Sequence, residues 1–291
     1  MDWRRRRDVV YGSVFPILFE IGRLSVGSFG VMMALGFLVA GLVMQSDLIR
    51  RGAPSDLAWS IVASGAVGGM VGARLLLILH RWPEFVAAPL DLLTSRGGFI
   101  WYGGLLGGVL MTAWPIRRSG VPWTLVTDSA APGLALGYAV GKVGCHLAGD
   151  GDWGTPTMLP WGVAYVHGTA PWPHPPGVNV HPAPLYEAAA ALLIFVALRR
   201  LRGWRAPAGT IFAVYLLATG AARFLVEFMR TNPPVFLGLT EAQWTSAALV
   251  SIALLWLLRL RDASSMREAR ARPATSVRGV PARSPRPTRA S

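Results

Sequence analysis

The chain has 291 residues, 53% of them hydrophobic and 15% charged, with a formal net charge of +13. Soluble domains carry about 25% charged residues, so the composition argues against an ordinary water-soluble domain and for an integral membrane protein, which the apolar segments below make an all-α polytopic one. The basic surplus is almost all arginine beside apolar segments, which directs it to an anionic leaflet and not to nucleic acid. The single cysteine, Cys145, excludes an internal disulfide framework and a Cys-rich zinc site.

Residues 1–25 open with MDWRRRRDVV and continue as YGSVFPILFEIG, interrupted by Pro16 and Glu20 and lacking a small-residue cleavage site. They read as an amphipathic arm at the membrane surface, with an uncleaved first anchor as the alternative. A membrane domain follows over 26–261. About 20 helical residues cross a hydrocarbon layer of about 30 Å, and seven segments meet that length approximately: 27–45, 58–79, 99–116, 127–148, 184–199, 209–229 and 243–260. Glycine-rich stretches such as GAVGGMVGAR and YGGLLGGV predict close helix–helix approach. Between the fourth and fifth segments, 149–182 contains no Lys or Arg and is rich in Pro, Gly, Trp and His. It reads as a small extracytoplasmic cap with Trp153, Trp161 and Trp172 at the headgroup level. Residues 262–291 are too poor in apolar side chains to fold and read as a disordered basic tail.

With seven spans, the arginines of 46–57, 117–120, 199–208 and the tail fall on one side. The positive-inside rule then places the C-terminus in the cytoplasm and the N-terminus outside. The run Arg4 to Arg7 opposes this and keeps an even number of spans open.

Ionisable residues inside spans carry the functional signal, because each costs at least about 2.5–3.5 kcal/mol near the bilayer centre. Arg74, Lys142, Arg223, Glu227, Arg230 and Glu187 stand in or at the ends of spans, and Asp128 opens the fourth. Arg223 and Glu227 share a helix face at a spacing of four, and Arg230 lies near two turns from Arg223. Pairing within that face accounts for Glu227, but the cations outnumber Glu187 and Glu227. An unneutralised positive cavity calls for an anion, and in a bilayer the abundant anion is a lipid phosphate, which arginine grips with paired hydrogen bonds. Cys145, His146, Asp150 and Asp152 offer metal-type ligands, but adjacent Cys-His side chains on a helix diverge and the familiar zinc spacings are missing. No metal or other cofactor is expected. Asp150-Gly-Asp152 reads first as a turn.

The pieces VGARLLLILHRWPEF, GGFIWYGGLLGG, GYAVGKVGCHLAGDGDWG, HPAPLYE and GAARFLVEFMR, in this order, resemble the prolipoprotein diacylglyceryl transferase family from about 15 to 260. The resemblance implies seven spans with the N-terminus outside and a location in the bacterial plasma membrane. It implies transfer of the diacylglyceryl group of phosphatidylglycerol to the lipobox cysteine of a prolipoprotein. Arg74, Gly103, Gly104, Gly141, Gly144, His181, Pro182, Tyr186, Glu187, Arg223 and Glu227 agree with the family pattern. Tyr102 stands where the family carries histidine, Lys142 where it carries arginine and Cys145 where it carries asparagine. Ala148 and Asp150 replace asparagine and glutamate, and Thr219 replaces tyrosine. These departures mark a divergent Tyr-Gly-Gly subgroup.

By that resemblance Lys142 and Arg223 stabilise the leaving phosphate. Tyr102 and His146 are the candidates for proton transfer, His146 having the better-placed ordinary pKa of about 6.5. Arg74, Gly103, Gly104, Gly144, Asp150, His181, Tyr186, Glu187 and Glu227 complete the expected substrate site. A lipid-binding protein with altered catalysis and an anion transporter are the alternatives.

Overall fold

The computed structural model describes residues 14–22, 24–94, 100–203 and 206–271. Residues 1–13 and 23 of the expected arm, residue 99 of the third expected segment, Arg205 and residues 272–291 of the expected tail lie outside them.

The chain runs through a hairpin, β1 (Ile17–Ile21) and β2 (Leu24–Gly27), then α1 (Ser28–Arg50), α2 (Asp56–His80), the short α3 (Trp82–Ala87) and α4 (Pro89–Thr94), and α5 (Trp101–Ser119). It continues as α6 (Trp123–Ala148), α7 (Ala183–Leu201), α8 (Thr210–Glu227), a second hairpin β3 (Pro234–Phe236) and β4 (Leu239–Thr240), and α9 (Glu241–Ala271). Apart from a residue or two at the ends, the described residues of each of the seven apolar segments fall in one long helix. Four stretches, Ser28–Arg50, Asp56–His80, Thr210–Glu227 and Glu241–Asp262, are long and apolar enough to cross a membrane. The other long helices dilute their apolar residues with Gly, Ala, Pro or terminal arginines. Outward side chains such as Leu75, Leu79, Leu106, Leu110 and Leu193 are exposed, as suits a surface facing hydrocarbon.

α2 packs on α5, α1 on α6, α8 on α9, and α7 against both α6 and α8. The α2–α5 crossing depends on glycine. A Cβ on Gly72 would come within 2.2 Å of the Gly103 carbonyl oxygen, and one on Gly107 within 2.2 Å of that of Gly68. The two backbones therefore meet without side chains between them, which maximises dispersion contact where apolar burial gives no drive.

The arm takes a definite form, and two expectations, for the tail and for Trp153, are corrected. The described part of the arm is an antiparallel hairpin, tied to the end of α6 by Phe15 N–H donating to Leu147 O at 2.8 Å. α9 continues to Ala271, so the first ten residues of the expected tail, 262–271, are helical. Trp153 is not at an interface. It is buried in the cap's own core with Val163, Tyr165 and Val180, stacking on Tyr165 at 5.4 Å, and Trp172 packs against them. Trp161 alone of the three indoles is largely exposed. The cap closes on α6 through Thr169 N–H to Ala148 O and Ala170 N–H to Gly149 O. An isolated bridge between Val163 and Val180 pins its middle.

Candidate active site

Three helix ends converge beneath the cap. α6 presents Tyr138 and Lys142 one turn apart near its C-terminus. α7 presents Glu187 in its second turn, and α8 ends with Arg223 and Glu227 on one face. α8 stops at Glu227, so Arg230 is not on that helix. A turn closed by Arg230 N–H to Glu227 O swings it back into the same cluster. Asp152, three residues beyond the left-handed C-cap Gly149, folds down from the cap to meet them.

Lys142 Nζ lies 2.5 Å from Asp152 Oδ2 and 2.9 Å from Glu187 Oε2. Arg223 Nη1 is 2.6 Å from Glu187 Oε1, and its Nη2 is 2.9 Å from Glu227 Oε2. Arg230 Nη2 is 2.6 Å from Asp152 Oδ1, and its Nη1 is 3.2 Å from Glu187 Oε1. Tyr138 donates its hydroxyl to Glu187 Oε2. Glu187 thus touches all three cations. Glu227 is held in turn by Asn232 Nδ2 at 2.6 Å and Thr240 Oγ1 at 2.9 Å.

Lys142, Arg223 and Arg230 face Asp152, Glu187 and Glu227, three charges against three. The expected surplus of unpaired cations is therefore not present here. Asp152 is the reason: read in sequence as a turn residue, it is the third carboxylate. Burial alone would raise its pKa, but the adjacent Lys142 and Arg230 more than offset this and hold its carboxyl well below the usual range. Arg230, which burial would push down, is instead pushed up by Asp152 and the two glutamates. Buried ions of this kind persist because each is paired and hydrogen-bonded.

The remaining expected residues divide. Arg74 does not enter the network; its Nη1 donates to Leu92 O at 3.1 Å, tying α2 to α4. Tyr102 lies beside Glu241 and Thr245 at the start of α9. Gly103 and Gly104 face α2, and a Cβ on Gly144 would sit 2.7 Å from Met32 Cβ of α1, so all three serve helix contact. His146 turns into the cap, its Nδ1 2.8 Å from the Tyr165 hydroxyl. His181 Nδ1 and Trp161 Nε1 both meet the Tyr186 hydroxyl, at 3.1 and 2.8 Å, bracing the cap on α7. Cys145, Asp150 and Asp152 bring ligand-type atoms within 4.8 Å of one another, but Asp152 gives both oxygens to Lys142 and Arg230. Burial, with Asp152 near, pushes the Asp150 carboxyl up.

Sequence reasoning missed Tyr138, Asp152, Asn232 and Thr240 as members of this arrangement. Tyr138 had a legible signal, its spacing of four from Lys142. The other three come from turns and a hairpin whose return path no periodicity encodes.

Residues 16–259 match the sequence model of the family described as prolipoprotein diacylglyceryl transferase. The chain is 31% identical over 248 residues to a protein of Geobacter sulfurreducens, covering 83% of this chain and 92% of that one. It is 31% identical over 266 residues to one of Coxiella burnetii (strain RSA 331), covering 87% and 98%. With one of Clostridium tetani it shares 29% over 218 residues, covering 75% and 86%. All three relatives carry the name phosphatidylglycerol–prolipoprotein diacylglyceryl transferase.

Proposed function

Because the chain belongs to the prolipoprotein diacylglyceryl transferase family, we propose that it moves the diacylglyceryl group of phosphatidylglycerol onto the lipobox cysteine of a prolipoprotein. The acceptor thiol loses its proton, its sulfur forms a bond to the glycerol carbon, the carbon–oxygen bond to phosphate breaks, and glycerol phosphate leaves. The family match over nearly the whole membrane part carries this reading. The names of relatives that align over 92% and 98% of their own lengths support the two substrates.

In this reading all seven long helices span the bacterial plasma membrane. The N-terminus is outside, the cap lies on the outer face and the C-terminus is cytoplasmic. The arginines at the ends of α1, α5 and α7 support that orientation.

The network under the cap is the reactive site. It is balanced, so a phosphate binds the donors that the carboxylates leave free and does not fill a positive void. Arg223 meets it first: its side chain is 27% exposed, against 14% for Lys142 and 7% for Arg230. A guanidinium has more donors than the two carboxylate contacts use. Glu187 and Glu227 fix the fork of Arg223, so its donors need no reorganisation as charge develops on the leaving oxygen. Lys142 adds a point charge beside it. The proton lost by the thiol is balanced by the phosphate oxygen freed on the leaving glycerol phosphate, and His146, whose Nδ1 is engaged by Tyr165, is not assigned as the base.

The test is the purified full-length protein with phosphatidylglycerol and a lipobox peptide. A peptide mass increased by one diacylglyceryl group is the expected result. Retained lipid binding without that increase, in a folded protein, refutes transfer and leaves a lipid-binding protein.

A further inference from the structure

At the opposite ends of α6, α7 and α8 lies a second charged cluster that the transfer reaction does not use. Asp47 of α1 is fully buried and touches three guanidiniums: Arg50 Nη2 at 2.8 Å, Arg51 Nε at 3.0 Å and Arg202 Nη2 at 2.9 Å. Arg50, Arg51 and Arg202 line a recess of about 270 Å³ with Asp128 and Ile211. A water takes about 30 Å³, so a phosphate group with part of its hydration fits.

The charge here does not balance. Asp128, the carboxylate among the described residues that line the recess, accepts the backbone N–H of Gly209 at 2.8 Å on Oδ2 and of Phe212 at 2.9 Å on Oδ1. It caps α8 as well, so two carboxylates, Asp47 and Asp128, answer three arginines. Arg202 is the most telling of them. Its side chain is 8% exposed, its Nη2 is close to Asp47 without hydrogen-bond alignment, and its Nε has no hydrogen-bond partner among the described residues. Burial, with Arg199, Arg50 and Arg51 near and Asp47 opposing, pulls Arg202 down to about 10. A buried guanidinium with donors to spare, among others of its kind, is completed by an oxyanion.

We propose that this recess binds a phosphate group, with Arg202 at its floor and Arg50 and Arg51 at its rim. Two sources share that chemistry: the headgroup of an anionic lipid, and a free phosphate or phosphorylated solute.

The experiment is calorimetric titration of the full-length protein in neutral detergent, with inorganic phosphate and a short-chain phosphatidic acid as probes. Saturable binding is expected for at least one. Arg202→Gln and Arg50→Gln each weaken it about tenfold or more, the size of a lost charge-assisted bond. Arg223→Gln, which cuts phosphate capture at the other end of α8, leaves a saturable binding that still depends on Arg202 and Arg50. Arg50 is half-exposed, so its variant tests the site even if Arg202→Gln fails to fold, and circular dichroism separates the two causes. Phosphatidic acid binding far more tightly than phosphate assigns the site to a lipid; equal affinities assign it to a free phosphate. No saturable binding of either probe overturns the proposal. So does binding indifferent to both substitutions, or binding lost in Arg223→Gln and kept in Arg202→Gln.

Discussion

Arg223 Nη1 lies 2.6 Å from Glu187 Oε1, joining the end of α8 to the start of α7. Glu187 is itself 2% exposed at its side chain and also meets Lys142 and Arg230, so one carboxylate holds three helix ends together. This makes Glu187 the centre of the candidate site.

Glu187→Gln leaves three buried cations facing two carboxylates. Removing one partner of a buried pair costs about 3–5 kcal/mol, so a clear fall in thermal midpoint is expected with loss of transfer. Glu187→Asp, which keeps the charge on a shorter arm, recovers part of both. Equal stability of the Gln variant and the native protein in thermal unfolding would show that the charge is not needed there.

Arg223→Ala removes the most accessible cation of the network, and a fall in transfer of about 10²–10³ is expected, as for the loss of one preorganised donor. Position 102 behaves differently. Tyr102 lies by Glu241 and Thr245 rather than among the six charged residues, so Tyr102→His and Tyr102→Phe stay well short of the about 10²-fold loss that follows removal of a general base. Rates measured with the lipobox peptide at saturating lipid decide the matter. A collapse in Tyr102→Phe with an intact fold would place the phenol in the chemistry.

Asp152 gives a pH signature. Its folded-state pKa is depressed, so the stability it contributes is present above its unfolded value of about 3.9 and is lost as pH falls below that. Native protein should lose thermal stability progressively from about pH 4 downward. Asp152→Asn should be less stable near neutrality and show a shallower acid slope. Identical slopes in the two proteins would mean that the Lys142 and Arg230 contacts do not hold in solution.

Gly72→Ala tests the α2–α5 crossing. The new Cβ meets backbone, not a side chain that can turn aside. Overpacking of this kind costs about 1–3 kcal/mol. The same change at Gly141, where a Cβ meets nothing within 4 Å, serves as the control. Thermal unfolding of both variants provides the comparison.

The long helices were readable because each is an apolar run of near-spanning length, and the glycine stretches correctly announced backbone-to-backbone packing. Lys142, Glu187, Arg223 and Glu227 were readable because a charge in an apolar run is costly and so conspicuous. Asp152 was not: it stands in a Gly-rich turn where a carboxylate is ordinary, and nothing local says that the turn folds down onto α6. Arg230 was placed by helical spacing and reaches the cluster by a different route, through a turn after α8. The arginines of α1 and α7 were read only as loop charge, since their meeting on Asp47 joins residues more than 150 positions apart.

The amino-acid order alone settled that this chain is helical and apolar, and which ions it carries into those helices, because hydropathy and residue spacing are local properties. Whether those ions are balanced depended on which carboxylates the folded chain brings within about 3 Å, and Coulomb energy between fixed charges is a matter of distance in space. Tertiary structure therefore decided that the cluster beneath the cap is neutral and that the excess positive charge gathers at the other end of the helices.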